Sequence, residues 1–154
     1  MNGKLKVKLQ NKTYRDTYVA ETLRTILASQ IEAIRTKNGW TQAELARRAG
    51  TTQNVISRLE DPSYGKFNLQ TLLDLAAAFE VALLVKFVTF NRFVSEFEDI
   101  SPDALTVSSF TDEAEAVKTT PESKKAEDDK PKATFDERLQ AEVADNYNQP
   151  KLAA

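Results

Sequence analysis

The chain has 154 residues, a formal net charge of −2, and neither histidine nor cysteine. The length suits one ordinary domain, and the missing cysteine excludes disulfide and thiolate chemistry. The sequence also contains no phosphate-cradling glycine loop and no recognisable paired-carboxylate motif. We therefore predict that the protein is not an enzyme and uses no cofactor and no metal. No apolar run is long enough for a membrane span and the basic start lacks the apolar block of a signal peptide, so we expect no membrane partner.

Charge is divided unevenly along the chain. Residues 1–90 contain 13 Lys and Arg against 8 Asp and Glu, a net +5, whereas residues 91–154 contain 8 against 15, a net −7. Such asymmetry indicates a basic half and an acidic half with different roles. Charge alone leaves three roles open for the acidic half: a solvated tail, a competitor for the basic face, or a surface for a partner.

The N-terminal part of the chain is predicted to be helical. Apolar side chains are available for burial across residues 13–34, which predicts one long or broken helix. We assign residues 1–20 to an N-terminal extension or helix and residues 21–80 to a helical domain.

Residues 42–61 are predicted to form two short helices joined by a tight turn. Thr41 and Glu44 have the spacing of a capping box, which begins the first helix. Gly50 can adopt the positive φ that ends it. Thr51 or Thr52 can cap the second helix. Apolar residues of that helix then face inward, and four polar residues face outward: Gln53, Asn54, Ser57 and Arg58.

This stretch resembles the Xre, or lambda-repressor-like, helix-turn-helix family. The resemblance is carried by Gln42, Ala46, Gly50, the Thr-Gln-Asn sequence of residues 52–54, and the run from Ile56 to Glu60. It extends over residues 23–81, where residues 23–37 and 69–79 match the first and fourth helices of the family. The resemblance implies a mainly α fold with a lambda-repressor-like helical DNA-binding domain, and double-stranded DNA as a partner.

The resemblance also implies roles for individual residues. Gln53, Asn54, Ser57 and Arg58 match the positions that contact base edges in the major groove. Gln42 is similar to the position that contacts a backbone phosphate, and further phosphate contacts are predicted for Thr52, Arg47, Arg48, Tyr64 and Lys66. Two alternatives remain open, namely an ordinary helical hairpin and a domain of this fold that contacts protein instead of DNA.

β-branched and aromatic residues crowd residues 81–90, which favours a strand. A lone strand in a helical domain leaves both edges unpaired, and pairing with its copy in a second subunit satisfies them. We therefore assign residues 81–105 to a dimerisation strand and a short helix, and predict a homodimer. The alternative is the usual fifth helix of the family. The predicted interface consists of Leu83, Val85, Phe87, Val88 and Phe90.

Residues 106–154 are poor in large apolar side chains and rich in charge, so we predict a disordered acidic tail. Within it, residues 134–147 carry a faint helical pattern. This pattern indicates either a transient helix or a segment that folds onto a protein partner, with Phe135, Leu139 and Val143 as candidate anchors. Such a partner could be a toxin that binds through the tail.

These features predict a sequence-specific DNA-binding transcriptional regulator, a repressor that binds a palindromic operator as a homodimer. The alternative is an antitoxin of a toxin-antitoxin pair, which binds a toxin protein and autoregulates its promoter. In either case we expect a cytoplasmic, nucleoid-associated protein.

Overall fold

A computed structural model describes residues 3–97 and 100–119. These residues form eight helices and no strand: α1 (Gly3–Lys8), α2 (Lys12–Lys37), α3 (Gln42–Arg48), α4 (Gln53–Leu59), α5 (Leu69–Phe79), α6 (Phe90–Glu96), α7 (Pro102–Leu105) and α8 (Phe110–Thr119). The chain divides into two units, Met1–Thr120 and Pro121–Ala154, and the second unit lies outside the described residues. None of the described helices combines the length and apolar character needed to cross a bilayer.

The main core lies where α2, α3, α4 and α5 meet. Leu45 of α3 and Ile56 of α4 are fully buried in it, and α2 and α5 supply most of the remaining apolar side chains. Complete burial of a leucine or isoleucine contributes about 1.5 to 3 kcal/mol each. Ala46 is also buried, and its small side chain allows α3 and α4 to pack closely. The short helices α3 and α4 are therefore held by tertiary packing more than by their own propensity.

α2 is one unbroken helix of 26 residues, which is the long form of the predicted helix. Asn11 begins it by accepting a hydrogen bond from the backbone N–H of Tyr14 at 3.0 Å. The C-terminal half contributes to the main core. The N-terminal half contacts α6, where the rings of Tyr18 and Phe93 meet edge to face with centroids 6.4 Å apart. The N-terminal extension is thus part of a second, smaller apolar cluster.

The predicted strand at residues 81–90 is not formed within the single chain. Residues 81–89 are neither helix nor strand, so the fifth-helix alternative is not formed either. The backbone of residues 82–88 makes no hydrogen bond with any residue that the structure describes. A strand is defined by its ladder of hydrogen bonds, and no segment among residues 3–97 and 100–119 supplies one. Pairing of this segment across a dimer stays a prediction.

The prediction of a disordered tail from residue 106 is wrong for residues 110–119, which form α8. A capping box begins this helix: the Ser109 hydroxyl accepts from the Asp112 N–H at 3.1 Å, and the Asp112 carboxylate accepts from the Ser109 N–H at 3.2 Å. Hydrogen bonding with the Ser109 side chain and with its backbone N–H lowers the pKa of the Asp112 carboxyl below its ordinary value. The Phe110 N–H also donates to the Glu80 carbonyl at 2.8 Å. The predicted helical pattern at residues 134–147 lies outside the described residues.

A partly buried ion pair joins α2 to the end of α4. The Nε and Nη2 atoms of Arg35 donate to the two carboxylate oxygens of Glu60 at 2.5 and 3.0 Å, and the two side chains are 14% and 6% exposed. Arg35 Nη1 also donates to the Trp40 carbonyl at 2.9 Å. The hydrogen bond with Glu60 raises the pKa of Arg35 above its ordinary value. The pair therefore sets the position of the end of α4 relative to α2.

We expect Glu60→Ala to lower the free energy of unfolding by about 1 to 3 kcal/mol, because it removes the carboxylate to which the partly buried Arg35 guanidinium donates. Urea denaturation followed by circular dichroism measures this loss. Glu21→Ala is the matched control, since it removes a carboxylate from an exposed arginine pair on α2 and should cost less than about 1 kcal/mol. Similar losses for the two variants would contradict a structural role for the partly buried pair.

Candidate nucleic-acid interface

α3 and α4 are joined by the predicted glycine turn. The Thr41 hydroxyl accepts from the Glu44 N–H at 3.2 Å and begins α3. Gly50 has a φ of +64° and follows the end of α3. The Thr51 N–H then donates to the Ala46 carbonyl at 2.8 Å, and the Gly50 N–H donates to the Arg47 carbonyl at 3.4 Å. This pair of bonds is a Schellman motif, which satisfies the last carbonyls of α3 and turns the chain into α4.

The outer face of α4 carries the four predicted base-contacting residues. Ile56 and Leu59 are buried on its inner face, which leaves the polar residues on the side of the helix away from the core. All four are exposed: Gln53, Asn54, Ser57 and Arg58. The structure therefore brings these side chains together on one accessible helix.

Thr52 occupies the cap position of α4, but its side chain makes no capping hydrogen bond. This differs from the predicted cap. The first turn of α4 is closed by the backbone instead, because the Thr52 carbonyl accepts from the N–H groups of Val55 and Ile56 at 3.0 and 3.2 Å. Thr52 is exposed, so its hydroxyl is accessible to a phosphate oxygen, as the prediction requires.

Gln42 is the first residue of α3 and is half-buried. Its Nε2 atom donates to a carboxylate oxygen of Glu60 at 2.8 Å, the same carboxylate that binds Arg35. An amide nitrogen carries two N–H donors, so one is used inside the protein and one can serve a phosphate. Glu60 therefore holds the orientation of the side chain that was predicted to contact the DNA backbone.

Arg47 and Arg48 both bind the carboxylate of Glu44. Arg47 donates to it at 2.8 and 3.1 Å and Arg48 at 2.8 Å, and the Arg48 guanidinium also lies 4.2 Å from the centre of the Trp40 ring. The hydrogen bond from Arg47 is the largest cause that lowers the pKa of Glu44 to about 2. In the predicted capping box the Glu44 carboxylate would reach back to the cap amide, but here it binds the two arginines. Both predicted phosphate contacts are thus already paired with an anion.

The loop after α4 is a hydrogen-bonded turn. The Asp61 carboxylate accepts from the backbone N–H and the hydroxyl of Ser63 at 2.9 and 2.7 Å, and the Tyr64 N–H donates to the Asp61 carbonyl at 3.1 Å. The Arg58 guanidinium lies 5.7 Å from the centre of the Tyr64 ring. The predicted phosphate contacts Tyr64 and Lys66 are both exposed in this loop. Among the described residues, no group of three or more acidic side chains is arranged to hold a metal ion.

Two short helices at a glycine turn, with a polar face directed outward, define a helix-turn-helix domain. Residues 31–85 match the helix-turn-helix family model, a match that includes α3, α4 and α5 and the end of α2. No curated protein and no solved structure matches the chain. Residues 31–85 therefore belong to the Xre, lambda-repressor-like, helix-turn-helix family, and the predicted resemblance is confirmed. A domain of this family indicates a DNA-binding transcriptional regulator.

We expect Glu44→Gln to strengthen binding to all duplex DNA and to steepen the dependence of affinity on salt, because it releases Arg47 and Arg48 from their anion. Fluorescence anisotropy on random-sequence duplexes at several salt concentrations measures both effects. Glu96→Gln, which removes the carboxylate of an exposed arginine pair on α6, is the matched control and should change neither. An unchanged salt slope in Glu44→Gln would contradict the inference that Glu44 restrains the two arginines.

Proposed function

We propose that this protein is a sequence-specific repressor that binds a palindromic operator as a homodimer. The observation that carries the proposal is the exposed row of Gln53, Asn54, Ser57 and Arg58 on α4 inside a helix-turn-helix domain. Glutamine and asparagine amides pair bidentately with adenine, and a guanidinium pairs bidentately with guanine. In this arrangement α4 enters the major groove and its outer face specifies the sequence.

Contacts to phosphates would fix the register of α4 on the duplex. Gln42 is suited to this role because Glu60 holds its amide in place at the start of α3. The Thr52 hydroxyl and the Lys66 ammonium are accessible on either side of α4. Contacts of this kind carry no base information, so they add affinity for every sequence alike.

The exposed segment at residues 82–88 supports a homodimer. The Val85 and Phe87 side chains are 69% and 108% exposed, and their backbone groups have no hydrogen-bond partner among the described residues. At about 3.3 Å per residue, seven residues would form a strand about 23 Å long. A second copy about a two-fold axis would offer the same strand in antiparallel orientation.

The other residues of the predicted interface differ in solvent exposure. Val88 and Phe90 are 41% and 42% exposed, and Phe90 lies 5.5 Å beneath the Arg15 guanidinium. Leu83 is half-buried against the helical domain, whereas its neighbour Leu84 is largely exposed. We therefore propose that Val85 and Phe87 form the centre of the interface, with Leu84 as an addition to the predicted set.

Repression is favoured because a dimer bound across a promoter blocks polymerase without any further part. The antitoxin alternative depends on the tail at residues 134–147, which lies outside the described residues. The observations that support an operator-binding role lie in the described part, so we place the repressor first. Purification of a stable complex with the product of an adjacent gene would favour the antitoxin.

Selection of binding sites from random duplex DNA should enrich a palindrome whose half-sites lie about 34 Å apart. On the selected site, we expect Arg58→Ala to cost about 1 to 3 kcal/mol and to relax the preference at one base pair in each half-site. Gln42→Ala should weaken binding to operator and random DNA by the same factor, because it removes a phosphate contact. Anisotropy titrations on both kinds of duplex make the comparison.

Gln42→Ala also removes a hydrogen bond to the partly buried carboxylate of Glu60, so its folded fraction must be checked by thermal denaturation before affinities are compared. Gln70→Ala is a suitable control, since it removes an exposed glutamine that binds Asp74 on α5. Enrichment of no sequence by the wild-type protein would refute the proposed function. Equal effects of Arg58→Ala on operator and random DNA would refute the base-reading role of α4.

We expect Phe87→Glu to convert the dimer to a monomer, because it places a charge at the centre of the proposed strand pair. Sedimentation equilibrium should give twice the 17.3 kDa chain mass for the wild type and the single chain mass for the variant. Phe110→Glu replaces another exposed phenylalanine, 74% exposed at the start of α8, and should remain a dimer. A monomeric wild type, or a dimer that survives Phe87→Glu, would contradict the proposed interface.

A further inference from the structure

Arg58 differs from the other arginines of the described residues. Each of the others donates a side-chain hydrogen bond inside the protein, either to a carboxylate or to a backbone carbonyl: Arg15, Arg24, Arg35, Arg47, Arg48 and Arg92. Arg58 donates no hydrogen bond to any described residue. Its five N–H donors are therefore all available to a ligand.

What holds Arg58 is the ring of Tyr64, whose centre lies 5.7 Å from the guanidinium carbon. This distance is within the range of a cation–π interaction, in which the ring face attracts the cation. A ring offers no hydrogen-bond acceptor in the plane of the guanidinium, so the contact leaves the N–H edge unused. A carboxylate partner would instead occupy the donors that a guanine needs.

The position of the Tyr64 ring is set by the loop that carries it. The Asp61 to Tyr64 turn is closed by its own backbone and by the Asp61 carboxylate. Gly65 follows with a φ of +57°, and a Cβ atom there would lie 2.6 Å from Nε of Arg24. The positive φ is what favours glycine here, because the atoms that a Cβ would meet belong to the flexible, exposed side chain of Arg24 on α2.

We infer that Tyr64 is a positioning residue that holds Arg58 ready to read a guanine. The inference rests on the proposed function, and it assigns Tyr64 to base specificity through its ring. The phosphate contact predicted for Tyr64 would instead act through its hydroxyl. A long arginine side chain loses much rotamer freedom when it is ordered, and partial ordering before DNA arrives reduces that loss. This gain in affinity applies only to DNA in which Arg58 contacts its guanine.

The test combines Tyr64→Leu and Tyr64→Phe, each with and without Arg58→Ala, on the selected operator and on an operator in which the guanine opposite Arg58 is replaced. Tyr64→Leu should raise the dissociation constant for the operator by about 2- to 5-fold, the range of an exposed cation–π contact. It should leave binding to the altered operator unchanged. Tyr64→Phe keeps the ring and should behave as wild type. In the Arg58→Ala background, Tyr64→Leu should have no further effect.

Tyr14→Leu is the matched control, because Tyr14 is 38% exposed against 37% for Tyr64 and also lies beneath a cation, Lys8. It should not change base preference. A DNA-free measurement accompanies the titrations: ring-current shifts of the Arg58 side-chain protons should be present in wild type and Tyr64→Phe and lost in Tyr64→Leu.

Four results would overturn the positioning role. Tyr64→Phe could weaken binding as much as Tyr64→Leu, which would assign the effect to the hydroxyl. Tyr64→Leu could weaken both operators equally, or retain its effect without Arg58. If Arg58→Ala reduces base preference and Tyr64→Leu behaves as wild type, the positioning role alone fails. If the wild-type protein has no preferred DNA sequence, both the positioning role and the proposed function fail.

Discussion

The helix-turn-helix domain depends on the hydrogen bonds of one partly buried carboxylate, that of Glu60. It stands at the end of α4 and accepts hydrogen bonds from Arg35 of α2 and Gln42 of α3, so one group connects three helices. α4 has seven residues, and an isolated helix of that length is not stable in water. Its orientation must therefore come from outside the helix. The hydrogen bonds of the ion pair are directional and fix this orientation, whereas apolar packing at Ile56 and Leu59 is not directional. The same carboxylate also fixes the orientation of the Gln42 amide.

The elements that could be predicted from sequence are those encoded by local signals. Thr41 and Gly50 mark the two ends of α3 because capping and a positive φ depend on a few adjacent residues. The helix that the family resemblance implies at residues 69–79 coincides with α5, where the Asn68 side chain accepts a hydrogen bond from the Thr71 N–H at 2.7 Å. The outward face of α4 also followed from helical periodicity, which requires no knowledge of the partner helices.

Contacts that depend on a choice between partners could not be predicted. Glu44 had the spacing to cap its own helix, yet two arginines on the next turn bind its carboxylate. Arg35 and Glu60 are 25 residues apart, and nothing local pairs them. The start of α8 does carry a local signal, the capping box formed by Ser109 and Asp112. The charge-rich composition of residues 106–154 nevertheless led to a prediction of disorder there. A strand at residues 81–90 needs a partner strand, and none of the described residues provides one.

The arginines near α4 differ in their binding partners, and this difference bears on DNA recognition. Arg47 and Arg48 share one carboxylate, which lowers the positive electrostatic potential that they present to DNA. Arg58 lies over the Tyr64 ring, has no carboxylate partner among the described residues, and keeps all its N–H donors available. Affinity for random DNA comes from phosphate neutralisation, whereas discrimination comes from base contacts. A regulator in a genome competes against a vast excess of non-specific sites, so the ratio of the two affinities matters more than either alone. If Arg47 and Arg48 contact phosphates and Arg58 reads a base, as proposed, pairing the first two with a carboxylate while leaving the donors of Arg58 unused would raise that ratio.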